Sequence, residues 1–393
     1  MKKKLVVVLG IRPDVIRASL ILNKIRQEQD FETIFIWSGQ HYSANLKDIF
    51  FQQLGVKPPE IELNVEGSTD AELTASVIQK LYKVLSDIRP VATVFLGDTN
   101  TVMGAIASAQ LNIPIVHIEG CMRSYDWRMP EEKYRTTVDH LSDVIYTYFD
   151  EYKQNGISEG LNPKSIVVTQ NLIVDVLQEA YFKKEQFYKD MATDSFFKER
   201  ELAKSSYFLM TCHRRENVSD RDIFQHILDL AKYTKKKIYF PAGYRSQQYI
   251  KEFALKIPSN IKIVDPIGYQ EFLTLMVNSC GVLTDSGTVV EETCVLQIPT
   301  IQIRKSTERP QVYDTGGCVK LDPELKDPQN LISAMEKLVT LQGKKWQHHL
   351  GDGLASQRIV DDLIQRVREN NFGNHRPENY HLNIRRSYQS DCL

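Results

Sequence analysis

Short apolar runs alternate with longer amphipathic stretches along most of this chain, and the alternation restricts the folds open to it. Continuous apolar strands separated by helices are typical of parallel sheets that helices cover on both faces. The sequence therefore predicts an α/β fold of doubly wound parallel sheets. The predicted strands are residues 4–9, 33–37, 92–96, 115–118, 144–146, 165–168, 207–210, 237–240, 261–264, 281–283 and 300–303. Predicted helices between them include residues 71–86, 131–141, 220–233 and 330–338.

The length of the chain predicts two domains. Its 393 residues exceed the size at which a single hydrophobic core keeps growing. Residues 182–206 are rich in Lys, Glu and Phe and carry no strand pattern, which places the join there. We therefore expect two Rossmann-like domains, residues 1–180 and 181–370, followed by a polar tail at 371–393. Because ligands bind beyond the carboxyl ends of such strands, the two domains are expected to face a ligand across a cleft.

Charge and cysteine usage narrow the class of protein. The net charge of -1 removes the electrostatic argument for a nucleic acid or an anionic membrane surface as partner. Six scattered cysteines with no C-x-x-C pair predict neither disulfides nor a zinc site, and fit a reducing cytosol. The basic start is followed by only six apolar residues, too few for a signal peptide, and no run is long enough to span a membrane. We expect a cytoplasmic protein without membrane insertion.

The segment from residue 283 to residue 310 carries the strongest local signal for a ligand. Ser286, Gly287 and Thr288 follow a predicted strand and open a helix, whose N-terminal N–H groups and dipole suit a phosphate. Glu292, one turn on, can accept two hydroxyl hydrogen bonds from a sugar. Arg309 supplies a permanent positive charge with fork geometry for a diphosphate. This pattern indicates a nucleotide sugar; the alternative is an ordinary capped helix with surface carboxylates.

The turn after the first strand also suits a phosphate. Gly10 is followed by Arg12, and Arg17 lies about one helical turn further on. The G-x-G-x-x-G fingerprint of dinucleotide-binding turns is missing from the sequence, which argues against a nicotinamide or flavin, so no cofactor is predicted. The alternative is a plain βα turn with Pro13 near the start of the helix.

Several candidate acids and bases follow other strands. Asp98, Glu119 and Glu131 come at neighbouring strand ends, where mutual repulsion would raise at least one pKa toward neutrality, as a general acid or base requires. The alternative is three solvated helix caps. His213 and Arg215 follow the first strand of the second domain and indicate a diphosphate or acid/base cluster. Metal binding is not predicted, because no other histidine stands at ligand spacing.

Taken in order, these motifs resemble the non-hydrolysing UDP-N-acetylglucosamine 2-epimerases, whose fold is related to the two-domain glycosyltransferases. The resemblance spans about residues 4 to 365. It rests on Gly10-Ile11-Arg12-Pro13-Asp14, Ser38-Gly39-Gln40-His41, Gly97-Asp98-Thr99-Asn100, His117-Ile118-Glu119, Pro130-Glu131-Glu132, His213-Arg214-Arg215-Glu216, Asp285-Ser286-Gly287-Thr288, Glu291-Glu292, Ser306-Thr307-Glu308-Arg309-Pro310 and Gly351-Asp352-Gly353.

The resemblance implies a reaction and a set of residues. A base takes the C2 proton of a UDP-N-acetylhexosamine as UDP leaves C1, and UDP adds back after the proton returns on the other face. The implied acid/base residues are Asp98, Glu119, Glu131 and His213, with the choice of base left open. The implied substrate contacts are Arg12, Arg17, His41, Arg135, Arg215, Ile267, Phe272, Ser286, Gly287, Thr288, Glu292 and Arg309. A homodimer is implied, and neither a metal nor a cofactor is.

Departures from the family pattern leave the substrate open. Gly120-Cys121 stand where Ala-Gly is usual, and residues 242–245 lack the His-Pro pair that some members use to bind a second UDP-sugar. Arg17 and Thr288 lean toward relatives that act on 6-deoxy UDP-N-acetylhexosamines on the way to N-acetylfucosamine. Three rival functions stay open: a UDP-sugar glycosyltransferase, a hydrolysing epimerase, and a nucleotide-sugar-binding protein without catalysis.

Overall fold

The computed structural model describes residues 2–39 and 51–372, and within them thirteen strands form two separate parallel sheets. The strands are β1 (Lys3–Leu9), β2 (Phe31–Trp37), β3 (Ile61–Glu62), β4 (Ala92–Leu96), β5 (Ile115–Ile118), β6 (Val144–Thr147), β7 (Ile166–Val168), β8 (Tyr207–Thr211), β9 (Lys237–Pro241), β10 (Ile261–Val264), β11 (Val282–Thr284), β12 (Thr300–Ile303) and β13 (Cys318–Leu321).

Helices connect the strands almost throughout. They are α1 (Arg12–Ile25), α2 (Asp70–Ile88), α3 (Ala105–Gln110), α4 (Pro130–Leu141), α5 (Asp150–Ser158), α6 (Leu172–Ala180), α7 (Glu185–Met191), α8 (Asp194–Glu199), α9 (Arg215–Val218), α10 (Arg221–Leu228), α11 (Tyr244–Glu252), α12 (Tyr269–Val277), α13 (Gly287–Leu296), α14 (Gln311–Asp314), α15 (Pro328–Leu341) and α16 (Ala355–Glu369). Short 3-10 turns add Asn100–Gly104, Pro163–Ser165, Phe182–Lys184 and Asp229–Tyr233. No helix within the described ranges is both long and apolar enough to cross a membrane.

Both sheets have a doubly wound strand order. The first runs β3-β2-β1-β4-β5-β6-β7 and the second β10-β9-β8-β11-β12-β13, with every pair parallel. In each sheet the order reverses beside the first strand of the sheet, between β1 and β4 and between β8 and β11. Ligands of open α/β sheets bind outside the carboxyl ends of the strands at such reversals. The topology therefore directs attention to the segments that follow these four strands.

The cores confirm the prediction of sheets covered on both faces. Every residue of β1 from Leu5 to Leu9 is buried, and helix α1, which follows it, buries Val15, Ile21 and Leu22. Each such aliphatic side chain contributes about 1.5–3 kcal/mol relative to exposure in water. The buried apolar strands are therefore the main source of stability in this part of the fold.

All eleven predicted strands are present, with ends displaced by at most two residues. Two further strands, β3 and β13, are not predicted from the sequence. The first has only two residues, and the second is an edge strand with partly exposed side chains, so neither forms a continuous apolar run. The helix predicted over residues 220–233 divides into α10 and a 3-10 turn.

The division of the chain differs from the predicted one at its second boundary. One compact unit comprises Met1–Val176 and Gly351–Leu393, and the other Leu177–Leu350. The first crossing lies near the predicted residue 181. Residues 351–370, however, are predicted to belong to the second domain and instead pack with the first. Most of the predicted tail, residues 373–393, lies outside the described residues.

Hydrogen bonds at both ends of α16 explain this correction. The carboxylate of Asp175 accepts the N–H groups of Ala355 (3.2 Å) and Ser356 (2.7 Å) and the Ser356 hydroxyl (2.6 Å). Near the other end, Lys3 Nζ donates to the Val367 carbonyl (2.7 Å). Sequence periodicity identifies an amphipathic helix but not the core that its apolar face joins.

Candidate active site

The first unit gathers charged side chains at the point where its strand order reverses. The chain leaves β1 through Gly10 and enters α1, where Asp14 accepts the N–H groups of Gly10 (3.2 Å) and Ile11 (3.1 Å). Arg17, one turn further, lies 3.0 Å from Asp14 Oδ1 and also forms a buried ion pair with Glu119, which follows β5. A single guanidinium therefore links two carboxylates that lie far apart in sequence.

Asp14 is a buried carboxyl of this group, and the fold changes its protonation. Burial raises the pKa of Asp14 to about 7, although Arg17 and the two N–H donors act in the opposite direction, and Asp98 adds to the rise. In the sequence, Asp14 stands within a motif and has no predicted role of its own. The signal that could have identified it is its place a few residues after a strand-ending turn, where a carboxylate caps the turn.

Two of the three predicted acids follow neighbouring strands, β4 and β5, and each of these two pairs with an arginine. Asp98, directly after β4, pairs with the buried Arg135 of α4, and Glu119 pairs with Arg17. Glu131 stands in the first turn of α4 and is partly buried. The sequence predicts mutual repulsion among the three acids, and the structure adds a guanidinium beside Asp98 and beside Glu119.

Backbone geometry at this edge is unusual. Gly97 has φ +83°, and a Cβ there would come 3.3–3.5 Å from Arg17, Asp14 and Glu119 together. Glu119 itself has φ 73°, in the left-handed region that residues with a side chain seldom adopt. Strained backbone of this kind persists only where surrounding contacts hold it, and it is common at functional sites.

In the second unit, Asp285 organises the corresponding reversal between β8 and β11. Its carboxylate accepts the N–H groups of His213 (2.9 Å) and Arg214 (2.8 Å) and the side-chain amide of Asn217 (3.2 Å). His213 Nδ1 lies 3.3 Å from Asp285 Oδ1. Asp285 belongs to a sequence motif but has no predicted role, and the structure makes it the residue that connects the two strand ends.

His213 is predicted to act as an acid or base, and its surroundings have opposing effects on its pKa. Loss of hydration lowers the pKa of His213, Asp285 raises it, and Arg214 and Arg245 lower it further. Half of the side chain is exposed, at 50%, so water limits the desolvation. The net effect lowers the pKa of His213 and favours a neutral imidazole.

Helix α13 starts as the sequence predicts. Ser286 is its N-cap, and the hydroxyl accepts the Val289 N–H (3.3 Å). The guanidinium of Arg309 lies directly over Gly287, the first residue of the helix. It is so close that a Cβ added to Gly287 would lie 2.6 Å from Arg309 Nη1. A helix N-terminus beside an arginine is a suitable place for a phosphate.

Arg309 belongs to a buried ionic group. Its Nε lies 2.9 Å from Glu291 Oε1, and it also pairs with its neighbour Glu308. Glu308 lies 3.1 Å from Arg304, which is equally buried. Buried charges are tolerated when they are paired in this way, and the pairing holds the Arg309 guanidinium in place. Glu291, Glu308 and Arg304 have no predicted role, because their pairing depends on the fold.

Glu292 lies in the same helix and is fully enclosed. Burial raises its pKa to about 8, with Tyr269 lowering it and Glu291 raising it. The Tyr269 hydroxyl donates to Glu292 Oε1 (2.8 Å). Tyr269 is not among the predicted site residues, and no local sequence signal distinguishes it from an ordinary core tyrosine.

The remaining predicted site residues are placed as follows. Arg12 begins α1, Arg215 begins α9 and is exposed, Ile267 precedes α12, Phe272 lies on α12, and Thr288 is the second residue of α13. His41 lies outside the described residues. Among the described residues, no cluster of three or more His, Cys, Asp or Glu side chains could hold a metal ion.

Fold and site together define a class: an α/β protein with two doubly wound sheets, acids and arginines at one strand-order reversal, and a serine-capped helix terminus beside an arginine at the other. A family model described as UDP-N-acetylglucosamine 2-epimerase matches residues 23–364. The chain belongs to the UDP-N-acetylglucosamine 2-epimerase family, which confirms the resemblance identified from its motifs.

Individual relatives agree with this family. The UDP-N-acetylglucosamine 2-epimerase of Methanocaldococcus jannaschii is 35% identical over 366 residues, covering 91% of this chain and 98% of the relative. The UDP-2,3-diacetamido-2,3-dideoxy-D-glucuronate 2-epimerase of Pseudomonas aeruginosa is 30% identical over 369 residues, covering 92% and 99%. The crystal structure of the M. jannaschii UDP-GlcNAc 2-epimerase in complex with UDP-GlcNAc and UDP is similar, with a TM-score of 0.81, 34% identity and coverage of 92% and 99%.

Proposed function

We propose that this protein interconverts UDP-N-acetylglucosamine and UDP-N-acetylmannosamine by eliminating UDP and adding it back, without hydrolysis. The observation that carries the proposal is the group of Asp98, Glu119 and Arg17 at the strand-order reversal of the first sheet, in a chain of this family. An epimerase needs proton donors and acceptors for both faces of C2, and several acids at one edge supply them.

The elimination sets the demands on the site. A base removes the C2 proton, the C1–O bond to UDP breaks, the electron pair of the C2–H bond forms a C1=C2 double bond, and UDP departs with the C1–O pair. The reverse steps return the proton on the other face and re-form the C1–O bond. Because a C2 proton is weakly acidic, cations that stabilise the departing diphosphate must supply much of the driving force.

We assign the two parts of this chemistry to different units. Proton transfer falls to Asp98, Glu119 and Glu131 of the first unit, with His213 of the second as a further acid/base group. Diphosphate binding falls to Arg309 and the N-terminus of α13, and Glu292 is assigned to the hydroxyls of the ribose. Supporting this are the arginine above Gly287 and the enclosed carboxyl of Glu292. Arg12, Arg215, Ile267, Phe272 and Thr288 are proposed contacts of the same substrate.

A second substrate class is a UDP-N-acetylhexosamine that lacks the 6-hydroxyl. The specific observation in its favour is Arg17 in the place of the usual lysine, paired with both Asp14 and Glu119. A relative with 30% identity is named for a diacetamido-glucuronate, so members of the family differ in sugar. Proposed in addition are a homodimer, a cytoplasmic location, and a role in supplying sugar for capsule or other surface polysaccharide.

Proton NMR of the purified protein with UDP-N-acetylglucosamine in deuterated water tests the proposal. We expect UDP-N-acetylmannosamine to accumulate, with deuterium at C2 of both sugars. Free N-acetylmannosamine with UDP would indicate a hydrolysing enzyme instead. Turnover of a 6-deoxy UDP-sugar alone would select the second substrate class. Sugar transfer to an added acceptor, or binding without exchange at C2, would contradict epimerisation.

A further inference from the structure

A buried charged cluster lies behind the acids of the first unit and takes no direct part in the proposed reaction. His117, on β5, is completely buried, and its two ring nitrogens contact different segments. Nδ1 lies 2.7 Å from Asp139 Oδ1 on α4, and Nε2 lies 2.8 Å from the carbonyl oxygen of Gly97. Gly97 directly precedes Asp98. One imidazole thus connects the segment after β4 to helix α4.

The partners of His117 indicate that both ring nitrogens carry a proton. A carbonyl oxygen can only accept, so Nε2 must donate to Gly97. Asp139 also accepts the Cys121 N–H (2.9 Å) and lies 2.8 Å from Arg123 Nη1, and these two donors act on Oδ2. Burial alone would raise the pKa of Asp139, but His117 and Arg123 hold it below its ordinary value. A carboxylate at Asp139 makes Nδ1 a donor too.

Charge balance supports the same assignment. Arg123 continues the cluster to Glu159, with bonds of 2.8 Å and 2.6 Å to its two oxygens. With a protonated His117, the two cations balance the two carboxylates, of which Asp139 is fully buried and Glu159 is 26% exposed. A neutral imidazole would leave a net negative charge on a group that includes the buried Asp139. Such a charge is costly away from water. The other titratable groups around the cluster are Cys121, whose pKa burial raises, His140, 3.7 Å from Glu159, and Arg135 and Asp98 at the adjoining ion pair.

The cluster also holds the backbone around Glu119. Glu119 and Cys121 both have left-handed backbone, with φ 73° and 61°, a conformation that is strained for a residue with a side chain. Asp139 accepts the Cys121 N–H, and the Tyr146 carbonyl accepts the N–H groups of Glu119 and Gly120. Gly120 passes so close to the His117–Asp139 pair that a Cβ there would lie 2.5 Å from Asp139 and 3.0 Å from His117.

We propose that His117 is a protonated positioning residue whose ring bridges the Gly97 carbonyl and the Asp139 carboxylate, and so holds Asp98 and Glu119 in the arrangement that proton transfer at C2 requires. The catalytic part of this statement rests on the proposed epimerase function; the protonation state does not. The ring itself is fully enclosed and acts through the segment after β4 and helix α4, which it joins.

Nitrogen-15 NMR of the full-length protein with labelled histidine tests the protonation state without any substrate. We expect both His117 ring nitrogens to be protonated, since each faces an acceptor oxygen. Assignment follows from the signal lost in His117→Gln, or, if that variant does not fold, from couplings within the wild-type ring. A neutral ring with one bare nitrogen overturns the proposal.

Steady-state kinetics test the positioning role. His117→Gln and the isosteric Asp139→Asn should lower kcat about 10- to 100-fold with little change in KM, the usual effect of displacing a catalytic group by a fraction of an ångström to an ångström. His226→Gln, on α10 of the second unit, is the matched control and should retain wild-type kcat. A folded His117→Gln or Asp139→Asn protein with wild-type kcat overturns the role. A wild-type protein that epimerises no UDP-sugar defeats the proposed function instead, and leaves the protonation result standing.

Discussion

Arginines set the electrostatic character of the acids in the first unit. Arg17 joins Asp14 to Glu119, and Arg135 pairs with Asp98, so two of the three proposed proton-transfer groups are held beside a cation. A paired guanidinium fixes the orientation of a carboxylate, which positioned proton transfer requires. Burial raises the pKa of Asp14 to about 7, so the charge of this carboxyl changes near neutral pH.

The role proposed for Glu119 predicts a selective loss of turnover. Glu119→Gln keeps the shape of the side chain but removes the proton acceptor, so kcat should fall by about two to four decades, the usual worth of positioned proton transfer. Isothermal calorimetry should show UDP affinity close to that of the wild type. Glu151→Gln, an exposed carboxylate on α5, serves as control and should retain activity. Near-wild-type turnover in Glu119→Gln would contradict the assignment.

Glu292 predicts a dependence of stability on pH. Its pKa is about 8 in the folded protein against an ordinary 4.5, so folding binds a proton between these values. The contribution to stability is therefore complete below about pH 4.5 and is lost as pH rises through 8, at most about 1.4 kcal/mol per pH unit for one proton. Urea unfolding of wild type and Glu292→Gln from pH 5 to 9 measures it. The free energy of unfolding of the wild type should fall relative to that of Glu292→Gln as pH rises. If the unfolding free energies of the two proteins changed in parallel with pH, Glu292 would not have the raised pKa.

At the scale of elements, strand ends and helix starts create the two charged groups. Parallel strands bring their carboxyl ends to one edge, and each following helix directs its N-terminal N–H groups toward that edge. In α13 the capping Ser286, the glycine that follows it and the overlying Arg309 act together. A substitution at Gly287 tests whether Arg309 must lie beside the start of α13, and it removes no charge.

Gly287→Ala should displace Arg309, because the new Cβ would lie 2.6 Å from Nη1 and 2.7 Å from Cζ. Since ion pairs hold the guanidinium in place, we expect UDP affinity to fall by on the order of tenfold, the equivalent of about 1.4 kcal/mol, as measured by calorimetry. Gly243→Ala is a matched control: this glycine also stands at a helix N-terminus of the second unit, and a Cβ added to it would meet no other atom within 4 Å. Equal affinities in both variants would argue against a phosphate site here.

At the scale of the whole molecule, the chain enters the second unit near residue 177 and returns to the first at Gly351. The returning helix α16 buries Ile359, Leu363 and Val367 in the first unit. Its start is held by Asp175, which stands just before the chain crosses into the second unit. The Asp175 carboxylate thus joins the segment that precedes the second unit to the segment that follows it.

Asp175→Ala should weaken the first unit selectively. Loss of three hydrogen bonds at the start of a buried helix is expected to cost about 2–3 kcal/mol. Hydrogen exchange followed by mass spectrometry should show faster exchange in α16 and α1 and unchanged exchange in α15. Asp327→Ala removes the N-cap of α15 in the second unit, where the carboxylate accepts the Gln329 N–H (2.9 Å), and should give the opposite pattern. If either variant raised exchange equally in both units, the assignment of α16 to the first unit and α15 to the second would be contradicted.

The sequence by itself determined the two parallel sheets, eleven of the strands and the positions of the strand-end motifs, because apolar runs, turn glycines and helix caps are local signals. Tertiary structure alone decided which side chains meet. Arg17 and Glu119 stand 102 residues apart and are joined only because the strand order brings β1, β4 and β5 side by side. The His117–Asp139 pair, Arg309 over Gly287 and the return of α16 to the first unit have the same origin. Strand order and the core that a helix joins depend on long-range packing, which the periodicity of a single segment does not encode.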